Sequence, residues 1–195
     1  MYTQEVIKAI LKKVASRQLS SRSAFKKLRS LPYESFSFAR LDHHRPLRKN
    51  LPEVVYAPGK TPAQLEKITN ALLRNGSPLL ITKLTEKGFR KLKKRFPKLV
   101  FSKEARMAYV NGLAKRSARG LAAIVTAGTS DIPVAEEACL TLEAMGRNVK
   151  RFYDLGVAGL HRLFDHLHEI EKADVIICIA GMEGALPSVL AGLVA

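Results

Sequence analysis

Residues 174–180, Asp-Val-Ile-Ile-Cys-Ile-Ala, are apolar almost without a break. A strand with one wet face alternates apolar and polar residues. A near-continuous run is the mark of a strand covered on both faces, as in a parallel sheet layered between helices. Two further strand-like runs precede it, Leu121–Val125 and Val149–Tyr153. Helical patterns lie between them, from Asp131 to Met145 with Gly146 as the stop and from Leu160 to Glu171; a third runs from Gly184 to Val194. The order is βαβαβα, half of a doubly wound sheet. Open α/β sheets hold their ligands beyond the carboxyl ends of the strands, so the pattern also says where to look for chemistry.

Those ends carry reactive and permissive residues. Ala127-Gly128-Thr129-Ser130-Asp131 follows the first run, and Gly181-Met182-Glu183-Gly184-Ala185-Leu186-Pro187 follows the third. A helix N-terminus offers unpaired N–H groups to an anion, and the hydroxyls of Thr129 and Ser130 add donors. Asp131 is suited to accepting ribose hydroxyls. Ordinary N-capping by Ser130 or Asp131, with Pro133 just inside the helix, explains the same residues. Glycines at 181 and 184 allow a ligand to approach the backbone closely. Glu183 is either a base whose pKa is raised by desolvation at the mouth of an apolar sheet, or a solvated carboxylate near a helix dipole. His161 and Arg162 open the second helix, where Arg suits a carboxylate or phosphate and a lone His is as well explained structurally.

The front of the chain is less regular. Val6, Ile7, Ile10, Leu11 and Val14 recur at helical spacing with lysines between them. Ser20 to Ser23 supply N-cap candidates for a second helix through Phe25 and Leu28, ended by Pro32. Phe36-Ser37-Phe38-Ala39 alternates like a short strand. Glu53–Tyr56, Pro78–Thr82 and Leu99–Phe101 read as strands, Thr61 caps a helix with Pro62 at its first position, and Thr85 to Phe96 is a strongly basic helix. Met107 to Gly120, with an Asn111-Gly112 turn signal, reads as a connector. The spacing therefore predicts a small α/β region over residues 1–119 and a parallel, layered α/β domain over 120–195.

Charge divides the chain at the same place. Residues 1–120 carry 28 Lys and Arg against 7 Asp and Glu, and residues 121–195 carry 5 against 10, so +21 and −5 make up the formal +16. The asymmetry points to an anionic partner for the front half. No nucleic-acid-binding motif is present and the cations are scattered over predicted helices, so a small polyanion is favoured over nucleic acid. No apolar run reaches the roughly 18–20 residues of a membrane helix, and the lysine-studded N-terminus lacks the apolar core of a secretory signal. Cys139 and Cys178 form no metal-ligand spacing and lie in apolar stretches, which fits packed thiols in a reducing cytoplasm. Asp42-His43-His44-Arg45 holds metal-capable residues, but adjacent histidines do not share a helix face, and no metal site is assigned there.

Several of these segments together resemble the LarB family. The matching residues are Gly128-Thr129-Ser130-Asp131-Ile132-Pro133, then Tyr153-Asp154-Leu155-Gly156-Val157-Ala158-Gly159-Leu160-His161-Arg162, then Ala180-Gly181-Met182-Glu183-Gly184-Ala185-Leu186-Pro187-Ser188. Asp42-His43-His44-Arg45, Pro52-Glu53-Val54 and Gly59-Lys60-Thr61-Pro62 resemble the LarB N-terminal region, which PurE, the aminoimidazole ribonucleotide carboxylase/mutase, lacks. The resemblance implies a PurE-like, flavodoxin-like domain at 120–195. It implies carboxylation of the pyridinium ring of nicotinic acid adenine dinucleotide by CO2 or bicarbonate, with hydrolysis of the phosphoanhydride, release of AMP and formation of pyridinium-3,5-biscarboxylate mononucleotide. That is the first step toward the nickel-pincer cofactor. In the family a cysteine thiolate adds to the ring, the neighbouring carbon attacks CO2, and a carboxylate removes the ring proton.

Carried onto matching positions, the resemblance makes Glu183 the proton-removing base and gives Thr129, Ser130 and Asp131 the nucleotide phosphate and ribose. His161 and Arg162 match a site-lining segment of PurE, and Gly181, Met182 and Gly184 shape the ring pocket. It implies a cytoplasmic homo-oligomer, octameric in the intact family, with no tightly bound cofactor, and it leaves a role for Mg2+ open. The family's nucleophilic cysteine, further strands and Gly-rich loop have no match in residues 1–195, so the expectation is an incomplete domain with impaired carboxylation. The alternatives are a non-catalytic nucleotide-binding remnant and a PurE-type carboxylase/mutase.

Overall fold

The computed structural model describes residues 4–29, 34–42, 53–74, 79–110 and 120–194. The chain opens with two helices, α1 (Gln4–Ala15) and α2 (Ser21–Arg29), which contact each other. Ser20 caps the second, its Oγ accepting the Ser23 N–H at 3.1 Å. A two-residue ladder follows, β1 (Glu34–Ser35) antiparallel to β2 (Arg40–Leu41). The strand expected at Phe36–Ala39 is instead the turn of this hairpin, closed by the Phe36 N–H on the Ala39 carbonyl at 2.7 Å. Phe36 and Phe38 stack on each other within the turn, with ring centroids 5.6 Å apart. Their alternation reflects that contact rather than a strand.

The front sheet contains β3 (Val54–Tyr56), β4 (Leu80–Thr82), β5 (Leu99–Ser102) and β6 (Met107–Val110) in the order β3-β4-β6-β5. The β3 and β4 strands are parallel, joined by α3 (Pro62–Arg74); the other pairings are antiparallel. Thr61 and Gln64 cap α3 reciprocally, each side chain accepting the other's backbone N–H. Helix α4 (Glu86–Arg95) is capped by Thr85, whose Oγ1 accepts the Gly88 N–H at 3.1 Å. The expected connector at Met107–Gly120 is corrected here, because its first four residues form the inner strand β6, with Met107 and Ala108 wholly buried. A four-residue strand with no β-branched residue before its last position carries little local signal. Of the rest of that segment, residues 111–119 lie outside the described residues.

The back half follows the expected order. Its elements are β7 (Leu121–Thr126), α5 (Ile132–Ala144), β8 (Asn148–Phe152), α6 (Leu160–Ile170), β9 (Val175–Ile179) and α7 (Ala185–Leu193). The sheet is parallel throughout, in the order β8-β7-β9. Ala123 and Val125 pack on one side with Leu163, Ile170, Leu186 and Leu190 of α6 and α7. Ile124 packs on the other side with Ala135 and Cys139 of α5. This is a layered, flavodoxin-like α/β arrangement. The strand sealed on both faces is β7, whereas β9 was expected in that role. β9 pairs only with β7 among the described residues, and Val175 is 56% exposed. The two sheets meet at α5, where Leu140 and Ala144 pack against Leu80, Ala105 and Met107 of the front half. The Lys83 ammonium pairs with Glu137 across the same junction at 2.5 Å.

Candidate functional site

Thr126, the last residue of β7, is fully buried and organises what lies beyond the strand. Its Oγ1 accepts the Asp154 N–H at 3.0 Å, and its carbonyl accepts the Leu155 N–H at 2.8 Å. The loop after β8 is thereby held against the end of β7. Asp154 sits at φ +60°, a left-handed backbone uncommon for a residue with a side chain, and its carboxylate is tied to Arg162 at 2.6 Å. The loop then passes so close to β7 that a Cβ on Gly156 would lie 2.7 Å from the Ala127 carbonyl oxygen. On the other side the Ala127 N–H donates to the Ile179 carbonyl at 3.0 Å, bringing in the end of β9. There Met182 and Gly184 also have positive φ, +34° and +66°. Unusual backbone thus gathers at the carboxyl ends of β8 and β9, on either side of β7.

These three ends enclose a cleft of about 340 Å3. Roughly 300–1,000 Å3 is usual for small-molecule clefts, so this one is at the small end. Ser130, Asp131, Gly181, Met182, Glu183 and Gly184 all line it, as does Gly156. Asp131 ends a single 3₁₀ turn, Thr129–Asp131, that leads into α5. One of its carboxylate oxygens accepts the Gly128 N–H at 2.9 Å, which is local capping. The other faces Gly181, where a Cβ would lie 3.8 Å away. The two readings of Asp131 from sequence therefore coexist, with one oxygen on the backbone and one toward the cleft. Glu183 lies on the exposed rim, so the desolvated setting considered for it is absent.

The structure does not bring every candidate together. Thr129 is exposed and does not line the cleft, and His161 is exposed on the first turn of α6. Arg162 serves Asp154 instead of lining the cleft. Thr126, Asp154 and Gly156 carry the geometry; Asp154 and Gly156 lie in a segment that carries the LarB resemblance, but the sequence patterns give none of the three a role. Their signal was the position of a threonine ending an apolar strand and of Asp-Leu-Gly ending the next. His43 and His44 lie outside the described residues. No three His, Cys, Asp or Glu side chains converge on a metal position among the described residues.

Behind the cleft a half-buried polar network fixes α5 to β8. Arg151 reaches Glu136 at 2.9 Å and Glu143 at 2.8 Å, and Tyr153 donates to Glu136. Burial acts to raise the Glu136 carboxyl, but the hydrogen bonds from Arg151 and Tyr153 outweigh it and hold it below its ordinary value. Burial, then the hydrogen bond to Glu136, pushes the Tyr153 phenol well up. Desolvation raises the Cys139 thiol. The Cys178 thiol, half-buried on β9, is pushed up to about 11 by burial and by the charge of Asp131. Neither cysteine is set up as a thiolate nucleophile at neutral pH.

A parallel sheet layered by helices, with a glycine-lined cleft at its strand ends, defines an α/β protein of the flavodoxin-like kind. Residues 33–112 match the family described as LarB/PurE-like N-terminal domain. The LarB-family resemblance read from the motifs is borne out, with the match falling on the front half of the chain. The chain is also similar to a protein of Methanocaldococcus jannaschii named Uncharacterized protein MJ0165, 41% identical over 163 residues, or 80% of this chain. It spans 64% of that relative's length. No described helix is long and apolar enough to cross a membrane.

Proposed function

We propose that the chain takes part in LarB-type carboxylation of a pyridinium dinucleotide, with nicotinic acid adenine dinucleotide and CO2 as substrates. The observation that carries the reading is the convergence of Ser130, Asp131 and the Gly181–Gly184 turn on one cleft at the carboxyl ends of parallel strands. The free oxygen of Asp131 takes a ribose hydroxyl. Ser130 takes the nucleotide phosphate, with Thr129 at the edge of that contact. The Gly181–Gly184 backbone lies along the ring; once a thiolate has added to the ring and the neighbouring carbon has bonded to CO2, Glu183 removes the proton from that carbon and expulsion of the thiolate restores aromaticity. His161 and Arg162 act from outside the cleft, Arg162 by holding Asp154. Hydrolysis of the phosphoanhydride releases AMP and leaves the biscarboxylated mononucleotide.

The cysteine step has no candidate in Cys139, which is buried, or in Cys178, whose thiol is pushed up to about 11. This observation favours a second reading, a nucleotide-binding protein without the carbon–sulfur chemistry. The LarB-type front half counts against a PurE-type carboxylase/mutase. A homo-oligomer in the cytoplasm completes the proposal, with the half-exposed β9 edge available for assembly.

Titration calorimetry with nicotinic acid adenine dinucleotide tests the binding, and chromatography of the same mixture with bicarbonate and Mg2+ tests the reaction. Binding to the wild type is expected, weakened about tenfold or more by Asp131→Ala if a charge-assisted hydrogen bond is lost. AMP with the biscarboxylated product identifies the enzyme, and binding without product identifies the second reading. Absence of binding, or binding unchanged by Asp131→Ala, overturns both.

A further inference from the structure

A second cavity, about 740 Å3 and larger than the strand-end cleft, lies in the front half. It sits beyond the carboxyl ends of the parallel strands β3 and β4, where the first turns of α3 and α4 begin. Its walls hold five cations, Lys60, Lys83, Lys87, Lys91 and Arg106, against one carboxylate, Glu66. Glu66 is itself paired with Arg95 at 2.9 Å. Lys83 is neutralised by Glu137, and the Lys60 ammonium donates to the Tyr56 carbonyl at 2.6 Å. No carboxylate pairs with Lys87, Lys91 or Arg106 among the described residues. Lys87, Lys91 and Arg106 are exposed to solvent around one concavity, where an anion can be met by several cations at once. Lys87 and Lys91 are one helical turn apart on the same face of α4, so both ammoniums can reach one ligand.

We propose that this cavity binds a small phosphate-bearing molecule, at a site separate from the strand-end cleft. Three features favour phosphate over a lone carboxylate. The unpaired cations are several. The N-terminal end of α4, already capped at the Gly88 N–H by Thr85, lies on the same side and adds the positive end of the helix dipole. The floor, built by Leu65, Leu84 and Leu92, offers an apolar surface to the rest of a molecule the size of a nucleotide or sugar phosphate. The basic excess of residues 1–120 supplies the long-range attraction that feeds such a site.

Pyrophosphate is the probe, titrated calorimetrically into the full chain at low salt. One binding event per chain is expected. The double substitution Lys87→Glu with Lys91→Glu removes both ammoniums from the cavity and is expected to weaken it at least tenfold. Lys8→Glu with Lys12→Glu makes the same change of net charge on the exposed face of α1 and is expected to leave it within twofold. Asp131→Ala is expected to leave it unchanged, which keeps this test apart from that of the strand-end cleft. No pyrophosphate binding overturns the proposal. So does equal weakening by the two double variants, which would make the attraction a property of diffuse charge. So does loss on Asp131→Ala, which would put the anion at the other cleft.

Discussion

Both cavities lie where parallel strands end and helices begin, yet they are made of different material. The back cleft is made largely of backbone. Gly156 passes under the Ala127 carbonyl, Asp154, Met182 and Gly184 hold positive φ, and among the candidates only Ser130, Asp131 and Glu183 bring reactive polar side chains to the lining. The front cavity is lined mainly by long cationic side chains; its backbone also turns left-handed, at Gly59, Lys83 and Arg106, but without a contact as close as that of Gly156 with the Ala127 carbonyl. The difference separates two kinds of sensitivity. A site built from close backbone approach is broken by adding a Cβ and tolerates changes of surface charge. A site built from lysines behaves the other way round.

The largest expected effect comes from glycine. In Gly156→Ala the new Cβ meets a backbone oxygen at 2.7 Å, which cannot move without shifting β7 or the loop. Denaturant unfolding should show a loss of about 1–3 kcal/mol, the usual scale of overpacking. Gly88→Ala is the matched control at the front cavity. Its Cβ would meet only side-chain atoms, the Leu84 Cδ1 methyl at 2.9 Å and the Thr85 Oγ1 at 3.2 Å, which can give way without moving backbone. Ala gains roughly 1 kcal/mol of helix preference there, so the net change should be near zero. Equal losses at the two positions would erase the distinction between the cavities.

Next in size is the network that fixes α5 behind the back cleft. Arg151→Leu leaves Glu136 and Glu143 without their cation. The cost should be about 2 kcal/mol near neutral pH, less than for a fully buried pair because the side chains are partly wet. Glu136 is held below its ordinary 4.5, so its contribution is present above that pH and is lost as pH falls through the lower folded value. Tyr153 is shifted upward from 10.0, so its contribution is full below that pH and falls as the solution becomes more alkaline. Unfolding measured across pH should therefore show the Arg151→Leu penalty shrinking toward acid. A penalty independent of pH would mean that the pair adds no net charge interaction.

The smallest effect is on a thiol. With Cys178 pushed up to about 11, partly by Asp131, its alkylation near pH 8 should be slow in the wild type and several-fold faster in Asp131→Ala. Mass spectrometry of the labelled peptide reads this directly. Unchanged labelling would place the Asp131 charge away from β9, and with it away from the cleft.

The back half was legible because each of its elements is long enough to show its period. Leu121–Val125, the 131–145 helix and the 160–171 helix differ from the structure by one or two residues at their ends. Ser130, Asp131 and the 181–184 turn were legible for the same reason, since they follow recognisable strands. The front strands of two to four residues were harder. β6 has its partners on both sides but no periodic run of its own, and the Phe36–Phe38 stack imitated strand alternation. Thr126 and Gly156 matter through contacts 28 and more residues away in sequence, which no local pattern encodes. Arg162 was read toward the ligand. The left-handed turn at Asp154 places a carboxylate within its reach, and a carboxylate holds the guanidinium in a paired geometry.

The most direct test is an amide chemical-shift titration of the full chain with two probes in turn, nicotinic acid riboside, which carries no phosphate, and pyrophosphate. The riboside is expected to shift Gly128, Ser130, Gly156, Gly181 and Gly184 while leaving Lys60, Lys87 and Gly88 in place. Pyrophosphate is expected to do the reverse. Both probes shifting one and the same set of residues would contradict the account of two separate cavities, built in different ways and holding different ligands.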